Sequence, residues 1–229
     1  MAISVDRVYQ QVLTMANKEQ RGYITPQEFN ILAVSAQMQI FEQYFYDENQ
    51  VDRNVKNSTQ FSNVDEMIDE KISVFKLTAN VGMIPGGIGN LPNNLYRLGM
   101  VYRSNTTIEL EQLQEEEYFS VKNSPLAKPT NKYPAFFRKD NATIQCFPNI
   151  TQVSINYIIK PTRPAWAYTV VNEKALFNGG NAVNFQLHYS DMSELVYKIL
   201  SLSGMTIAKP GLGSYGDQQI AGQKQQEKQ

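Results

Sequence analysis

Apolar residues recur three and four positions apart in several stretches of the chain, which is the spacing of an α-helix with one buried face. Elsewhere apolar and polar residues alternate one by one, as in a half-buried strand. The sequence therefore predicts helices towards both ends of the chain and strands between them. The predicted helices are residues 4–17, Pro26 to about Asp47, a segment capped by Ser62 or Asn63, and a last helix with Asp191 as its cap and Gly204 as its C′ residue.

The second predicted helix has apolar side chains on two nearly opposite faces. Its start is well defined, because Thr25 and Glu28 form a capping box around Pro26. Such a helix is either central in its own bundle or lies between its domain and a neighbouring subunit, and both interpretations stay open. With residues placed 100° apart, the first face holds Phe29, Leu32, Ala33, Ala36, Ile40 and Tyr44, and the second holds Ile31, Val34, Met38, Phe41 and Phe45.

The middle of the chain predicts a small β-element that is rich in aromatic residues and divided by prolines. Proline cannot donate to a strand ladder, so each proline marks a strand end or an edge. Residues 77–94 are rich in Gly, Pro and Asn and predict an extended connector, and residues 167–187 are expected to be irregular. The predicted strands are 95–103 and 106–110, which would form a hairpin, then 133–138, 142–147 and 152–160, with a short helix over 111–118.

These elements predict an α+β protein. A helical bundle, made of three N-terminal helices and a C-terminal helix, would carry an inserted small antiparallel β-subdomain. The tail from Pro210 is rich in Gly and Gln, so we expect it to be extended or disordered unless it contacts a partner. The predicted division is 1–78 for the helical bundle, 79–188 for the β-subdomain and connectors, 189–205 for the returning helix and 206–229 for the extended tail.

Charge and composition exclude several classes of function. The formal net charge is −1 and the pI is about 5.9, which argues against a nucleic-acid-binding protein. No apolar run reaches the roughly 20 residues that span a bilayer, and the N-terminus lacks the pattern of a signal peptide. We therefore expect a soluble protein in a reducing compartment, without membrane contact. The single cysteine, Cys146, lies in an apolar strand and is expected to be buried.

The sequence offers no candidate catalytic centre. Its one histidine, His188, has no neighbouring set of Cys, Asp or Glu ligands, so no metal site is predicted. The glycines between 86 and 89 are not followed by the Gly-Lys-Ser/Thr of a phosphate loop. Neither enzymatic activity nor a cofactor is therefore expected. The acidic run at residues 115–117 is either a solvated helix end or the negative side of an intersubunit contact.

Three segments, taken in order, carry a resemblance to a known class of proteins. They are GYITPQEFNILA…QIFEQYF near the start, SPLAKPT…YPAFF…IQCFPN…VSINYIIKPTRPAW in the middle, and DMSELVYKILSLSGM before a glutamine-rich tail. Their order and spacing resemble the virion structural proteins of short-tailed bacteriophages. The resemblance is to the head-to-tail connector proteins (portal adaptors or neck rings) of crAss-like and marine phages in particular.

The resemblance implies a virion protein of the neck or tail region, made in the host bacterial cytoplasm, that forms a ring beneath the portal. Its partners would be other copies of the chain in a dodecameric ring, the portal protein and adjacent neck or tail ring proteins. Genomic DNA would pass through the channel without sequence-specific binding. The candidate interface residues are then Ile31, Val34, Met38, Phe41, Phe45, Tyr215 and Ile220.

A second hypothesis makes the chain a virion β-module that binds a host glycan or another capsid or tail component. In that case five aromatic residues would form an exposed platform, because sugar rings stack on open aromatic faces. The two hypotheses differ in whether these rings face solvent. The five residues are Tyr133, Phe136, Phe137, Tyr157 and Trp166.

Overall fold

The computed structural model describes residues 2–18, 24–53, 64–104, 106–206, 214 and 216–222. The chain is an α+β protein with two compact units, one formed by residues 1–74 and 161–229 and the other by residues 75–160. The α-helices are α1 (Val5–Lys18), α2 (Pro26–Arg53), α3 (Val64–Ser73), α4 (Glu115–Asn123) and α5 (Met192–Thr206), with a 3-10 helix at Tyr189–Asp191. The strands are β1 (Lys76–Ile84), β2 (Ile88–Asn90), β3 (Leu95–Arg103), β4 (Glu111–Gln112), β5 (Ala135–Arg138), β6 (Thr143–Phe147), β7 (Gln152–Ile159), β8 (Tyr168–Val171) and β9 (Lys174–Phe177).

The first unit contains α1, α2, α3 and α5, and the predicted start of α2 is confirmed. The amide of Thr25 donates to Glu28 Oε2 at 2.9 Å, and the amide of Glu28 donates to Thr25 Oγ1 at 3.3 Å. This reciprocal capping satisfies two of the amide groups that every helix start leaves open. The predicted first helix is also confirmed, and its buried face consists of Val5, Val8, Tyr9, Val12 and Ala16.

The end of the first unit differs from the prediction. α5 continues through Gly204 to Thr206, so Gly204 does not terminate it. Residues 216–222 are helical rather than extended. They lie close to α5, because Ser201 Oγ donates to Asp217 Oδ1 at 2.7 Å and a Cβ on Gly216 would come within 2.8 Å of the carbonyl oxygen of Tyr197. Glycine at 216 thus permits a close approach of two helices.

The second unit is a seven-stranded sheet in the order β3-β7-β1-β2-β6-β5-β4, and it nearly closes on itself. The pairs are antiparallel except for β4 and β5, which run parallel. The two end strands approach where the Leu110 amide donates to Val101 O at 2.8 Å and the Arg103 amide donates to Ile108 O at 2.9 Å. The interior is filled by Val81, Leu91, Val101, Leu110, Phe136, Ile144, Cys146, Ile150, Val153, Ile155 and Tyr157.

The predicted architecture, a helical bundle with a small antiparallel β-subdomain, is therefore wrong. The β part is a mixed, barrel-like sheet, and residues 77–94 contribute two of its strands instead of a connector. β1 lies inside the sheet and pairs with both β7 and β2. The glycines that suggested a connector form the turn between β1 and β2, where Gly86 and Gly87 have φ angles of 104° and 74°. Residues 161–188, which the sequence placed with the β-subdomain, belong to the first unit.

Candidate interaction surfaces

The second apolar face of α2 is only partly exposed. Ile31 is 69% exposed, whereas Val34 and Met38 are half-buried. Phe41 and Phe45 are buried and contact each other edge to face, with ring centroids 5.1 Å apart. The structure therefore separates the predicted interface residues of α2 into an exposed start and a buried end. A partner that approaches this face would meet Ile31 first.

The other two candidate interface residues lie near the C-terminus. Ile220 is buried in the helical segment 216–222. Tyr215 lies outside the described residues. The interface assignment of these seven residues stays a prediction, and Ile31 is the candidate with the most exposed side chain among those that the structure describes.

A β-hairpin formed by β8 and β9 stands beside the start of α2. Its base is fixed by Trp166, whose ring lies 5.8 Å from Tyr168 and 5.7 Å from Phe177, centroid to centroid. The backbone of Trp166 in turn exchanges two hydrogen bonds with the side chain of Asn30, at 2.7 and 3.2 Å. Gln27 Nε2 donates to the hydroxyl of Tyr168 at 3.3 Å. Because Gln27 and Ile31 are one helical turn apart, Ile31 lies on the side of α2 that carries the hairpin.

The hairpin exposes large apolar side chains on both of its faces. Val170 is 66% exposed, Val171 49%, Leu176 51% and Phe177 42%, and we call these four residues the hairpin surface. Val170 and Phe177 are on the face of Tyr168, and Val171 and Leu176 are on the opposite face, since successive strand residues alternate. A two-stranded hairpin alone is marginally stable in water, and exposed apolar groups on paired strands are typical of contact surfaces.

The sequence interpretation missed this hairpin, because it treated residues 167–187 as irregular. A local pattern was nevertheless present, since two short runs of apolar and β-branched residues flank the dipeptide Asn172-Glu173. Both residues of the dipeptide have positive φ, 48° and 64°, which is the geometry of a two-residue type I′ turn. Asn-Gly is the usual sequence for that turn. Because glutamate occupies the second position here, the sequence pattern did not indicate a turn.

The predicted aromatic platform does not form. Phe136, Phe137, Tyr157 and Trp166 are all buried, with exposed fractions between 1 and 7%, and only Tyr133 faces solvent, at 70%. Phe136 and Tyr157 belong to the interior of the sheet, and Phe137 contacts Tyr118 with ring centroids 4.3 Å apart. These rings stabilise the two units from inside, so they offer no stacking surface for a sugar. Trp166 is fixed within the first unit, where its indole Nε1 donates to Asp6 Oδ1 at 2.9 Å.

A buried ionic cluster connects three helices of the first unit. The carboxylate of Asp191, which is 1% exposed, lies 2.9 Å from Lys71 Nζ on α3 and accepts a hydrogen bond from the hydroxyl of Tyr44 on α2. It also accepts from Ser190 Oγ at 3.1 Å. Buried charges require this kind of pairing, because leaving water costs each of them several kcal/mol. Asp191 precedes α5 as predicted, but its carboxylate binds these side chains instead of capping the helix.

His188 and Ser190 lie next to this cluster and superficially resemble part of a hydrolase triad. His188 Nδ1 is 2.9 Å from Ser190 Oγ and also accepts from the amide of Ser190, which makes the imidazole a cap of the 3-10 helix. His188 Nε2 is 3.9 Å from Glu70. The cavity beside the cluster has a volume of about 40 Å³, room for a water molecule and not for a substrate. The geometry supports a structural role for these residues.

Burial determines the properties of the single thiol. Cys146 is 1% exposed inside the sheet, and desolvation raises its pKa to about 12. The prediction of a buried thiol is confirmed, and a thiol with this pKa is not a nucleophile near neutral pH. Among the residues that the structure describes, no three His, Cys, Asp or Glu side chains lie close enough together to hold a metal ion.

Within the described segments, no helix is both long enough and apolar enough to cross a bilayer. No protein-family model matches the sequence, and a comparison with curated proteins likewise finds no match.

Proposed function

We propose that this chain is a structural subunit of the head-to-tail connector of a tailed bacteriophage, where it forms a ring that joins the portal to the tail and surrounds the DNA channel. The proposal starts from the order of the three sequence segments described above. It is supported by a fold in which the polar clusters of the described residues have structural roles, and in which large apolar side chains are exposed on a hairpin, as is typical of contact surfaces. The ring would be a homo-oligomer, expected to be dodecameric, in contact with the portal and with adjacent neck or tail proteins.

The hairpin surface is the observation that supports this proposal most directly. Both faces of this hairpin carry apolar side chains that are exposed to water. In an antiparallel sheet of a globular protein, by contrast, the apolar side chains usually lie on one face, which packs on the core. A neighbouring subunit could cover both sides if the hairpin were inserted between parts of that neighbour. Ring subunits provide such an environment, because each one contacts a neighbour on either side through unlike surfaces.

The experiment is a double substitution on the face of the hairpin that points away from Trp166. The variant Val171→Ser/Leu176→Ser removes apolar area without touching the Trp166 contacts, so the fold should persist. A matched control is Leu77→Ser/Ile84→Ser, since Leu77 and Ile84 are 44% and 56% exposed in the other unit. We expect the hairpin variant to shift the midpoint of self-assembly, measured by sedimentation velocity, at least about tenfold to higher concentration, and the control to leave it within about twofold.

Circular dichroism melting of both variants verifies that they fold. Equal assembly of the hairpin variant and the wild type would remove the main support for the proposal. A wild-type chain that stays monomeric both alone and with the portal protein of the same virion would contradict the proposed function itself.

A further inference from the structure

The end of α4 and the loop that follows it carry three lysines and two strongly exposed apolar residues. Lys122 and Lys128 both lie over the ring of Phe147, with their ammonium groups 5.7 and 5.8 Å from its centroid, so they occupy one region. Lys132 lies 5.5 Å from the ring centroid of Tyr133 in the same loop. We call Lys122, Lys128 and Lys132, together with Leu126 and Tyr133, the basic patch. Leu126 is 99% exposed and Tyr133 is 70% exposed.

The three ammonium groups of the basic patch have no carboxylate partner among the described residues. From position 121 to position 133 the chain contains lysines and no Asp or Glu. Exposed apolar side chains that lie in one region are found at contact sites. A region whose charges have one sign attracts a surface of the opposite sign.

The opposite charge is concentrated just before the same helix and in its first turn. Residues 109–117 contain five glutamates and no lysine or arginine. Four of the carboxylates, those of Glu109, Glu111, Glu115 and Glu116, are on exposed residues, and we call them the acidic patch. The fifth belongs to Glu117 and has a local role, because it accepts from the amide of Gln114 at 3.2 Å and caps α4.

Helix electrostatics explain only part of this arrangement. Acidic residues in the first turn and a lysine in the last turn are stabilised by the helix dipole, which accounts for Glu115, Glu116 and Lys122. The dipole acts within the terminal turns, so it does not account for Lys128 and Lys132, which follow the helix. It gives no reason for the exposure of Leu126 and Tyr133.

We propose that the β units of neighbouring copies join head to tail, with the acidic patch of one copy bound to the basic patch of the next. This inference rests on the proposed ring function and specifies the contact that builds the ring. Charge complementarity identifies a second copy as the occupant. Glu115 and Glu116 are in the first turn of α4 and Lys122 is in its last turn, whereas Glu111 lies beside the other end of the basic patch, because its amide donates to Pro134 O at 3.0 Å. No ion pair joins the two patches within the described chain. Every copy therefore presents both halves of one contact, which is the requirement for a heterologous interface that closes into a ring.

The apolar and charged residues would have different tasks in this contact. Exposed ion pairs are individually weak and are screened by salt, so burial of Leu126 and Tyr133 would supply most of the affinity. The charges would fix orientation and register, since two acidic patches or two basic patches repel each other. Assembly should accordingly weaken as the salt concentration rises.

A charge-exchange experiment on the full chain tests the proposal. The acidic variant, Glu115→Lys/Glu116→Lys, reverses two charges of the acidic patch and keeps the Glu117 cap. The basic variant, Lys128→Glu/Lys132→Glu, reverses two charges of the basic patch. We expect each variant alone to need at least about tenfold more protein than the wild type to assemble, as measured by mass photometry and sedimentation velocity. An equimolar mixture of the two should recover wild-type assembly, because native patches pair with each other and reversed patches pair with each other.

Each variant has a matched control that reverses two exposed charges outside the two patches. Glu42→Lys/Glu48→Lys is the control for the acidic variant, and Lys139→Glu/Lys160→Glu is the control for the basic variant. These controls should assemble within about twofold of the wild type. Recovery in the mixture also proves that both reversed chains fold, so a folding defect cannot imitate the expected result.

Three results would overturn the inference. The first is that each variant alone forms rings at the same protein concentration as the wild type. This result would leave the ring function intact and exclude this contact. The second is loss of assembly that the mixture does not restore. The third is unchanged assembly with weaker binding of a fluorescent DNA duplex by the Lys128/Lys132 variant, which would make the basic patch a nucleic-acid surface. A wild type that never forms rings would instead contradict the proposed function.

Discussion

Asp191 illustrates how the role of one residue depends on partners that are distant in the sequence. Its position just before an apolar, periodic segment predicts a helix cap, and this local argument correctly locates the start of α5. The carboxylate nevertheless contacts Lys71 and Tyr44, which are more than a hundred positions away. No local pattern contains that information. The sequence could therefore indicate a helix start here, and only the tertiary structure assigns the side chain.

We predict that Asp191→Ala destabilises the protein by about 1–3 kcal/mol, because it removes a buried carboxylate that binds Lys71 Nζ at 2.9 Å and accepts hydrogen bonds from the hydroxyls of Tyr44 and Ser190. Urea unfolding followed by circular dichroism measures this loss. Glu70→Ala is the control, since the Glu70 side chain is 72% exposed and should change stability by less than about 0.5 kcal/mol. A loss of less than about 1 kcal/mol in the free energy of unfolding for Asp191→Ala would mean that the ionic cluster does not stabilise the packing of these helices.

Two adjacent glycines provide a second prediction at this scale. Gly86 has φ of 104° and open space around it, so Gly86→Ala should cost about 1–2 kcal/mol through backbone strain alone. Gly87 has φ of 74°, and a Cβ there would overlap the carbonyl oxygen of Cys146. Gly87→Ala should therefore be clearly more destabilising than Gly86→Ala when both are measured by thermal unfolding. Equal losses would show that the turn relaxes away from β6.

At the scale of elements, segments with a regular pattern were predictable: the predicted strands at 95–103, 133–138, 142–147 and 152–160 correspond to β3, β5, β6 and β7. α1 and the start of α2 depend on local features, namely the 3.6-residue period and a capping box between Thr25 and Glu28. β1 and β2 were missed because glycine and proline are compatible with a connector and with a tight turn. The hairpin of β8 and β9 was missed because its turn uses Asn172-Glu173. Local sequence therefore located the starts of α1, α2 and α5, but it placed the start of α4 at residue 111 instead of 115, and its turn residues were ambiguous.

The turn between β5 and β6 supplies a prediction of pH dependence. Asp140 accepts from the hydroxyl of Thr143 at 2.7 Å and from the amides of Ala142 and Thr143 at 2.7 and 2.8 Å. These hydrogen bonds, that of the Thr143 side chain first, lower the pKa of Asp140 below its ordinary value. The stabilisation is complete above the ordinary aspartate pKa of about 3.9 and is lost as pH falls through the lower pKa of the folded state.

Asp140→Asn should consequently be less stable than the wild type at neutral pH, and the difference should shrink below about pH 4. Chemical denaturation at a series of pH values measures this convergence, and Asn141→Ala serves as a control at an adjacent exposed position. A stability difference that is independent of pH would contradict the assignment of Asp140 as the acceptor that organises the turn.

At the scale of the whole molecule, the sequence could not supply the topology. The order of strands places β1 between β7 and β2 and adds a parallel pair at one end, and such pairings join segments that are far apart in the chain. Alternation along a strand identifies its buried face and leaves its neighbours undetermined. The same limit applies to the interface. Two faces on α2 were visible in the sequence, but the burial of Phe41 and Phe45 and the exposure of Ile31 follow from tertiary packing.

Electron microscopy of the purified full chain, alone and mixed with the portal protein of the same virion, tests the central claim most directly. We expect closed rings with a single rotational symmetry, in which the hairpin surface, the acidic patch and the basic patch lie between adjacent subunits. Particles that remain monomeric under both conditions, or that grow only into open filaments, would contradict it.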